Sequence, residues 1–260
     1  MNILIANDDG IRAEGLNRLA KTLSEVGCVY VVAPHEQRSG AGQSIAMGKQ
    51  LFFKEDYVEG TEKAYSFTGT PTDCVKMGIQ LLRQQGIEID VVFSGINHGG
   101  NLGTDTLYSG TVGAAREGVI NEKVSVAVSV DSHEPKGFDA ACKMAQYTAK
   151  KIKENLSKMK PVVLNINVPN IDEEDIKGIK LTKLGVRDYD NWFKAIYHED
   201  GTIETSYGGE PIGWDDPNSK VNGPSDVVAN AEGYVTVTPI GYDLTIGEVL
   251  ECEFWGIYKQ

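Results

Sequence analysis

The chain opens with an unbroken apolar run over residues 3–6 that stops at Asn7, Asp8, Asp9 and Gly10. A short continuous apolar segment bounded by turn residues predicts a strand buried on both faces. Apolar positions then recur at helical spacing at Leu16, Leu19, Ala20, Leu23 and Val26, and Gly27 ends that helix before a second apolar run over 28–33. Thr70, Pro71 and Asp73 place an N-cap, a first-turn proline and a capping-box acid ahead of Val75, Ile79 and Leu82, predicting a second helix, with a strand over 89–94 after it. A helix over about 111–120, a strand over 124–130, a helix over about 138–155 and a strand over 162–168 continue the alternation. Val-rich strands separated by helices predict an α/β fold, a mostly parallel sheet with helices on both faces. After Pro169 the pattern changes to short alternating runs over 177–186, a stretch rich in Gly, Asp and Pro over 208–224, and a strand over 234–239. We therefore divide the chain into an α/β core, residues 1–170, and a β-rich extension, residues 171–260, part of which packs back on the core and part of which offers a subunit contact.

A length of 260 residues allows one sizeable core with an appendage. The formal net charge of −12 argues against binding of a nucleic-acid polymer, because that affinity comes largely from Lys and Arg. A small anionic ligand then needs local help from a cation, backbone N–H groups or a helix N-terminus. Cys28, Cys74, Cys142 and Cys252 form no C-x-x-C pair and read as reduced, structural thiols, and His35, His98, His133 and His198 lack zinc-site spacing. No apolar run has transmembrane length and no basic, cleavable leader precedes the first strand, so no membrane partner and a cytoplasmic location are expected.

The chemistry is expected where the first strand ends. Adjacent carboxylates at Asp8 and Asp9 repel each other unless a cation neutralises them, and hard oxygen ligands of this kind suit Mg2+ or Mn2+. Ligands of open α/β sheets settle beyond the carboxyl ends of the strands, where this pair belongs; the same four residues also make a good Asx-rich turn. Three further segments fall at strand ends. Residues 34–44 carry Ser39, Gly40 and Gly42, which offer a hydroxyl to a metal or anion and a backbone able to approach a phosphate; a plain loop reads equally well, and a dinucleotide fingerprint fails because its third glycine position is Ile45 and it follows the second strand. Residues 94–103 carry Asn97, a neutral oxygen ligand that adds no repulsion, and His98, open between a general acid or base and an exposed loop residue. Residues 108–116 open directly into a helix, where Ser109, Gly110 and Thr111 make either a phosphate cradle or an ordinary N-cap, and Arg116 is open between packing and catalysis. Phosphoacceptor receiver domains, haloacid-dehalogenase-like phosphatases and α/β hydrolases are disfavoured, because their further Asp and Lys, their Asp-x-Asp and their Gly-x-Ser-x-Gly elbow are missing.

Taken together, "NDDG" at 7–10, "APHEQRSGAGQSI" at 33–45, "FTGTPTDCV" at 67–75, "SGINHGGNLG" at 94–103, "YSGTVGAAREG" at 108–118 and "GYVTVTPI" at 233–240 resemble the SurE family in family order. The resemblance implies a Rossmann-like α/β body with a protruding β-rich C-terminal part that supports a homodimer or homotetramer. It implies a divalent-metal-dependent phosphomonoesterase that hydrolyses nucleoside 5'-monophosphates, and sometimes 3'-nucleotides or short polyphosphate. Carried over by position, the metal ligands fall on Asp8, Asp9, Ser39 and Asn97, with one ion per subunit. On this reading Asp8 and Asp9 are catalytic, and Gly40, Gly42, Asn97, Ser109, Gly110 and Thr111 hold substrate. A non-catalytic protein that senses nucleotides in the same pocket is the competing expectation.

Overall fold

A computed structural model describes residues 1–190 and 192–244; the rest of the expected extension, with Cys252, lies outside the described residues. In chain order the elements are β1 (Asn2–Ala6), α1 (Glu14–Leu23), β2 (Cys28–Pro34), β3 (Phe53–Asp56), β4 (Lys63–Phe67), α2 (Pro71–Gln84), β5 (Val91–His98), α3 (Gly110–Ile120), β6 (Val124–Val130), α4 (Asp139–Asn155) and β7 (Val163–Val168). They continue with β8 (Ile179–Leu181), β9 (Val186–Tyr189), β10 (Trp192–Tyr197), β11 (Ile203–Gly208), β12 (Pro211–Trp214), α5 (Asp226–Ala231) and β13 (Val235–Ile240).

The main sheet has the order β3-β4-β2-β1-β5-β6-β7-β13-β8. From β4 to β7 every neighbouring pair is parallel, while β3 runs antiparallel to β4 and β13 antiparallel to β7. This is the mostly parallel α/β architecture that the apolar runs predict. Successive residues of β1 point to opposite faces. Ile3 and Ile5 pack with Leu16, Leu19 and Leu23 of α1 and Ala145 of α4, whereas Leu4 and Ala6 pack with Val75, Ile79 and Leu82 of α2 and Ala114 of α3. Ile3, Leu4 and Ile5 are fully buried, each contributing roughly 1.5–3 kcal/mol over leaving the side chain in water.

The start of α2 follows the expected cap chemistry. Thr70 Oγ1 accepts the Asp73 N–H at 3.1 Å, and Asp73 Oδ2 accepts the Thr70 N–H at 3.0 Å. The same Asp73 oxygen accepts the Ala46 N–H at 3.0 Å, so the cap also ties down the long segment after β2. Two boundaries differ from the expected ones by three residues or more. α1 ends at Leu23 and the chain reaches Gly27 through a turn, and β5 runs past Ser94 to His98. The extension of β5 passes through a register shift against β6 between Ser94 and Asn97, where Gly95 has φ +134° and the Gly95–Ile96 bond is cis. An added Cβ at Gly95 would lie 2.3 Å from the Val128 carbonyl oxygen, so the irregularity needs a glycine there.

Beyond β7 the chain divides. β13 and β8 extend the main sheet, while the pairs β10–β11 and β9–β12 form two separate antiparallel ribbons. Strands β3 and β4 are not announced by the apolar pattern; β3 carries Lys54, Glu55 and Asp56 on an edge with little burial. The buried Asp226 at the start of α5 ties the C-terminal part to the core. Its carboxylate accepts the N–H groups of Gly103 at 2.9 Å, Gly185 at 2.8 Å and Val227 at 2.9 Å.

Candidate active site

Strand β1 lies between β2 and β5, so the chain leaves it in one direction and later returns on its other side. That reversal opens a crevice at the carboxyl ends of the strands, the usual ligand position in open α/β sheets. Asp8 and Asp9 follow β1, Ser39 and Gly40 lie beyond β2, and Asn97 and His98 end β5. All six line one cavity of about 1140 Å³.

Asp8 is buried against the N-terminus of α3. Its Oδ1 accepts the Thr111 hydroxyl at 2.5 Å, and the Thr111 backbone N–H also donates to the carboxylate. Burial pushes its pKa up to about 6, with Asp9 adding repulsion and the Thr111 hydroxyl pulling the other way. Asp9 is raised as well, chiefly by burial, with His98 nearby and the His98 backbone N–H bond opposing. The Asp9 Oδ2 atom is buried and has no hydrogen-bond partner among the described residues. Gln37 Nε2 donates to Ser39 Oγ at 2.9 Å and approaches Asp9 Oδ1 at 3.4 Å, linking the two. Asn97 Nδ2 donates to the Gly99 carbonyl at 2.7 Å, which leaves Oδ1 as its remaining acceptor.

Two desolvated carboxylates with an orphaned oxygen, a hydroxyl and an amide oxygen make a donor set that suits a hard divalent cation. Among the described residues no group of three or more His, Cys, Asp and Glu side chains is placed to hold a metal, so neutral oxygens must complete any coordination here. Residues 3–191 match the family model described as Survival protein SurE. The chain belongs to the SurE family. A 5'-nucleotidase SurE of Clostridium botulinum (strain Eklund 17B / Type B) is 42% identical over 248 residues, covering 94% of this chain and 95% of its own. Another 5'-nucleotidase SurE, from Picosynechococcus, is 38% identical over 275 residues and covers 99% and 98%. The crystal structure of the SurE protein from Aquifex aeolicus superposes with a TM-score of 0.76 at 35% identity, covering 94% of this chain and 95% of that one.

The remaining residues singled out from the SurE-like blocks fall into two groups. Ser109 lines the cavity, and its Oγ accepts the Val112 N–H at 3.1 Å as the N-cap of α3, leaving the hydroxyl hydrogen to donate. Gly42, Gly110 and Thr111 do not line it. The Gly42 N–H is taken by the Tyr108 carbonyl at 3.0 Å, and both donors of Thr111 point to Asp8. Gly110 acts through its size, because an added Cβ would lie 2.9 Å from Asp8 Oδ2. The end of α3 expected to cradle a phosphate is thus turned on the aspartate. His98 sits on Phe138 with ring centroids 5.0 Å apart, and its Nε2 is buried with no partner among the described residues. Arg116 lies on α3, away from the cavity lining.

Sequence reasoning missed Gln37, Asp105, Asp131, Arg187 and Tyr189. Arg187 Nη2 donates to Asp131 Oδ1 at 3.0 Å, and the Tyr189 hydroxyl donates to Asp105 Oδ2 at 2.7 Å. Gln37 lies in the segment after β2, the other four come from segments 103–107, 131 and 186–189, and no short-range pattern joins them. Among the described residues no helix is long and apolar enough to cross a membrane.

Proposed function

We propose that this chain hydrolyses nucleoside 5'-monophosphates to nucleoside and phosphate, using a divalent ion, Mg2+ or Mn2+, held by Asp8, Asp9, Ser39 and Asn97. The observation that carries this reading is the paired, desolvated carboxylate site at the switch point of the sheet, in a chain about 40% identical to proteins named 5'-nucleotidase SurE. When bound, the ion supplies Lewis-acid polarisation of the phosphoryl oxygens and neutralises charge for attack by water. Asp8 is oriented by both donors of Thr111 and Asp9 by the His98 N–H, so the two carboxylates face the cavity in fixed positions. The Ser109 hydroxyl hydrogen is free to bind a phosphoryl oxygen, and Gly40, with φ +71° and open space around it, lets the backbone come close. Phosphoryl transfer needs mainly positioning and neutralisation of spread charge, which this set supplies without a basic surface.

The cavity volume of about 1140 Å³ exceeds what phosphate alone requires and accommodates a nucleotide. Activity on 3'-nucleotides or short polyphosphate belongs to the same reading. So do a cytoplasmic setting and a homodimer or homotetramer, the latter supported by the exposed Phe193, Tyr197 and Ile203 on the β10–β11 ribbon. Phosphate release from AMP, measured with added Mg2+ or Mn2+ and again with chelator, tests the reading. Asp9→Asn is nearly isosteric, so it is expected to keep the circular dichroism spectrum and lose at least about a hundredfold of metal-stimulated turnover. Nucleotide binding without phosphate release would make the chain a sensor instead.

A further inference from the structure

The same cavity has a second polar wall, furnished by β9, the 3-10 turn Gly103–Leu107 and the segment after β6. Arg187 is its centre. The side chain is 11% exposed, Nη2 donates to Asp131 Oδ1 at 3.0 Å, and Nε lies 3.4 Å from Asp105 Oδ2. Its third nitrogen, Nη1, is buried and has no hydrogen-bond partner among the described residues. Gly100 packs against that nitrogen without a side chain of its own, since an added Cβ there would lie 3.0 Å from Nη1 and 2.3 Å from Asp131 Oδ1, so position 100 leaves slack through which a ligand atom can approach from the cavity.

A buried guanidinium nitrogen without an acceptor is costly, and a ligand oxygen that reaches it removes the cost. The surrounding charge says which kind of oxygen. Asp105 and Asp188 in the lining and Asp131 behind them, against one guanidinium, leave the wall with a net negative charge, which repels a phosphate group but suits a neutral one. Beside the guanidinium the cavity lining also offers the carboxylate of Asp105, while Asp131 holds Arg187 from behind through Nη2. A hydroxyl accepts and donates at a single atom, so it satisfies the donor and an acceptor together. We propose that Arg187, held by Asp131 and flanked by Asp105, binds the sugar hydroxyls of the substrate and so orients the nucleoside while its phosphate lies at Asp8 and Asp9.

This assignment rests on the phosphatase reading above and adds a specificity determinant to it. Because the wall is built to hydrogen-bond a hydroxyl, a substrate lacking it leaves buried polar groups unpaired and is rejected. The test compares kcat/KM for AMP, 2',3'-dideoxyadenosine 5'-monophosphate and para-nitrophenyl phosphate with Mg2+ or Mn2+ present, in the wild type and in Arg187→Met. The wild type is expected to prefer AMP over the dideoxy analogue by about tenfold or more. Arg187→Met is expected to bring that preference close to unity and to lower the ratio of AMP to para-nitrophenyl phosphate hydrolysis by about tenfold. Equal wild-type rates on AMP and the dideoxy analogue would overturn the assignment with no variant needed, even where Arg187→Met does not fold. A variant that slows all three substrates in proportion would overturn it too, since a merely structural role does that. If the wild type released phosphate from none of the three under metal, the phosphatase reading would fall first and this one with it.

Discussion

With 4% of its surface exposed, Asp8 has lost most of its hydration, and burial raises its pKa from 3.8 to about 6 despite the opposing Thr111 bond. A raised carboxylate favours the fold only while protonated. In the metal-free protein its contribution is fully present below pH 3.8 and is lost as pH rises through about 6. The shift corresponds to roughly 3 kcal/mol, which a bound cation offsets by stabilising the carboxylate. Urea denaturation under chelator should therefore show metal-free Asp8→Asn gaining on the wild type by about 2–3 kcal/mol between about pH 4 and pH 7. A difference that does not change with pH would contradict this. That Asp8 and Asp9 stand at the tip of the first strand was legible in the sequence, because an unbroken apolar run ends directly before them. The partner of Thr111 was not legible, because 103 residues separate it from Asp8 and the strand order alone brings them together.

Helix α3 shows what an element contributes beyond its own residues. It is buried on nearly every side, Glu117 included, and its small residues let it sit close to the loops around the cavity. Gly113 is the clearest case, because an added Cβ would lie 2.4 Å from the Gly42 carbonyl oxygen. Judged by helix propensity, Gly113→Ala would stabilise α3 by up to about 1 kcal/mol. Judged by packing, it must push the segment bearing Ser39 and Gly40 aside, at about 1–3 kcal/mol. The contact is with backbone, which cannot rotate away, so the packing cost should win. The expected outcome is a lower melting temperature together with roughly a tenfold loss of kcat/KM for AMP, read by calorimetry and phosphate release. The sequence announced α3 and left its start open between a phosphate cradle and an N-cap, and Ser109 is the N-cap. Whether the free end faced a substrate or an aspartate depended on what stood opposite.

Across the whole molecule, Asp226 joins the core to the C-terminal strands by accepting N–H groups from Gly103, Gly185 and Val227. Removing it leaves three buried donors without an acceptor, so Asp226→Ala should cost roughly 3 kcal/mol or more in urea denaturation. It should also impair AMP turnover, because Gly185 leads into β9 and Gly103 opens the turn that holds Asp105. Burial raises the pKa of Asp226 while its three N–H partners oppose the shift, and an asparagine could serve at most one face of this arrangement. By itself the sequence determined the alternation of strands and helices, the cap of α2 and the acidic pair at the first strand's tip, because apolar periodicity and capping act within a few residues. Only the tertiary structure decided that β5 returns beside β1, that Asn97 thereby meets Asp8 and Asp9 at one cavity, and that Arg187 reaches Asp105 and Asp131. Those meetings depend on the order in which distant strands pair, and pairing energy is shared among many contacts rather than written in any one segment.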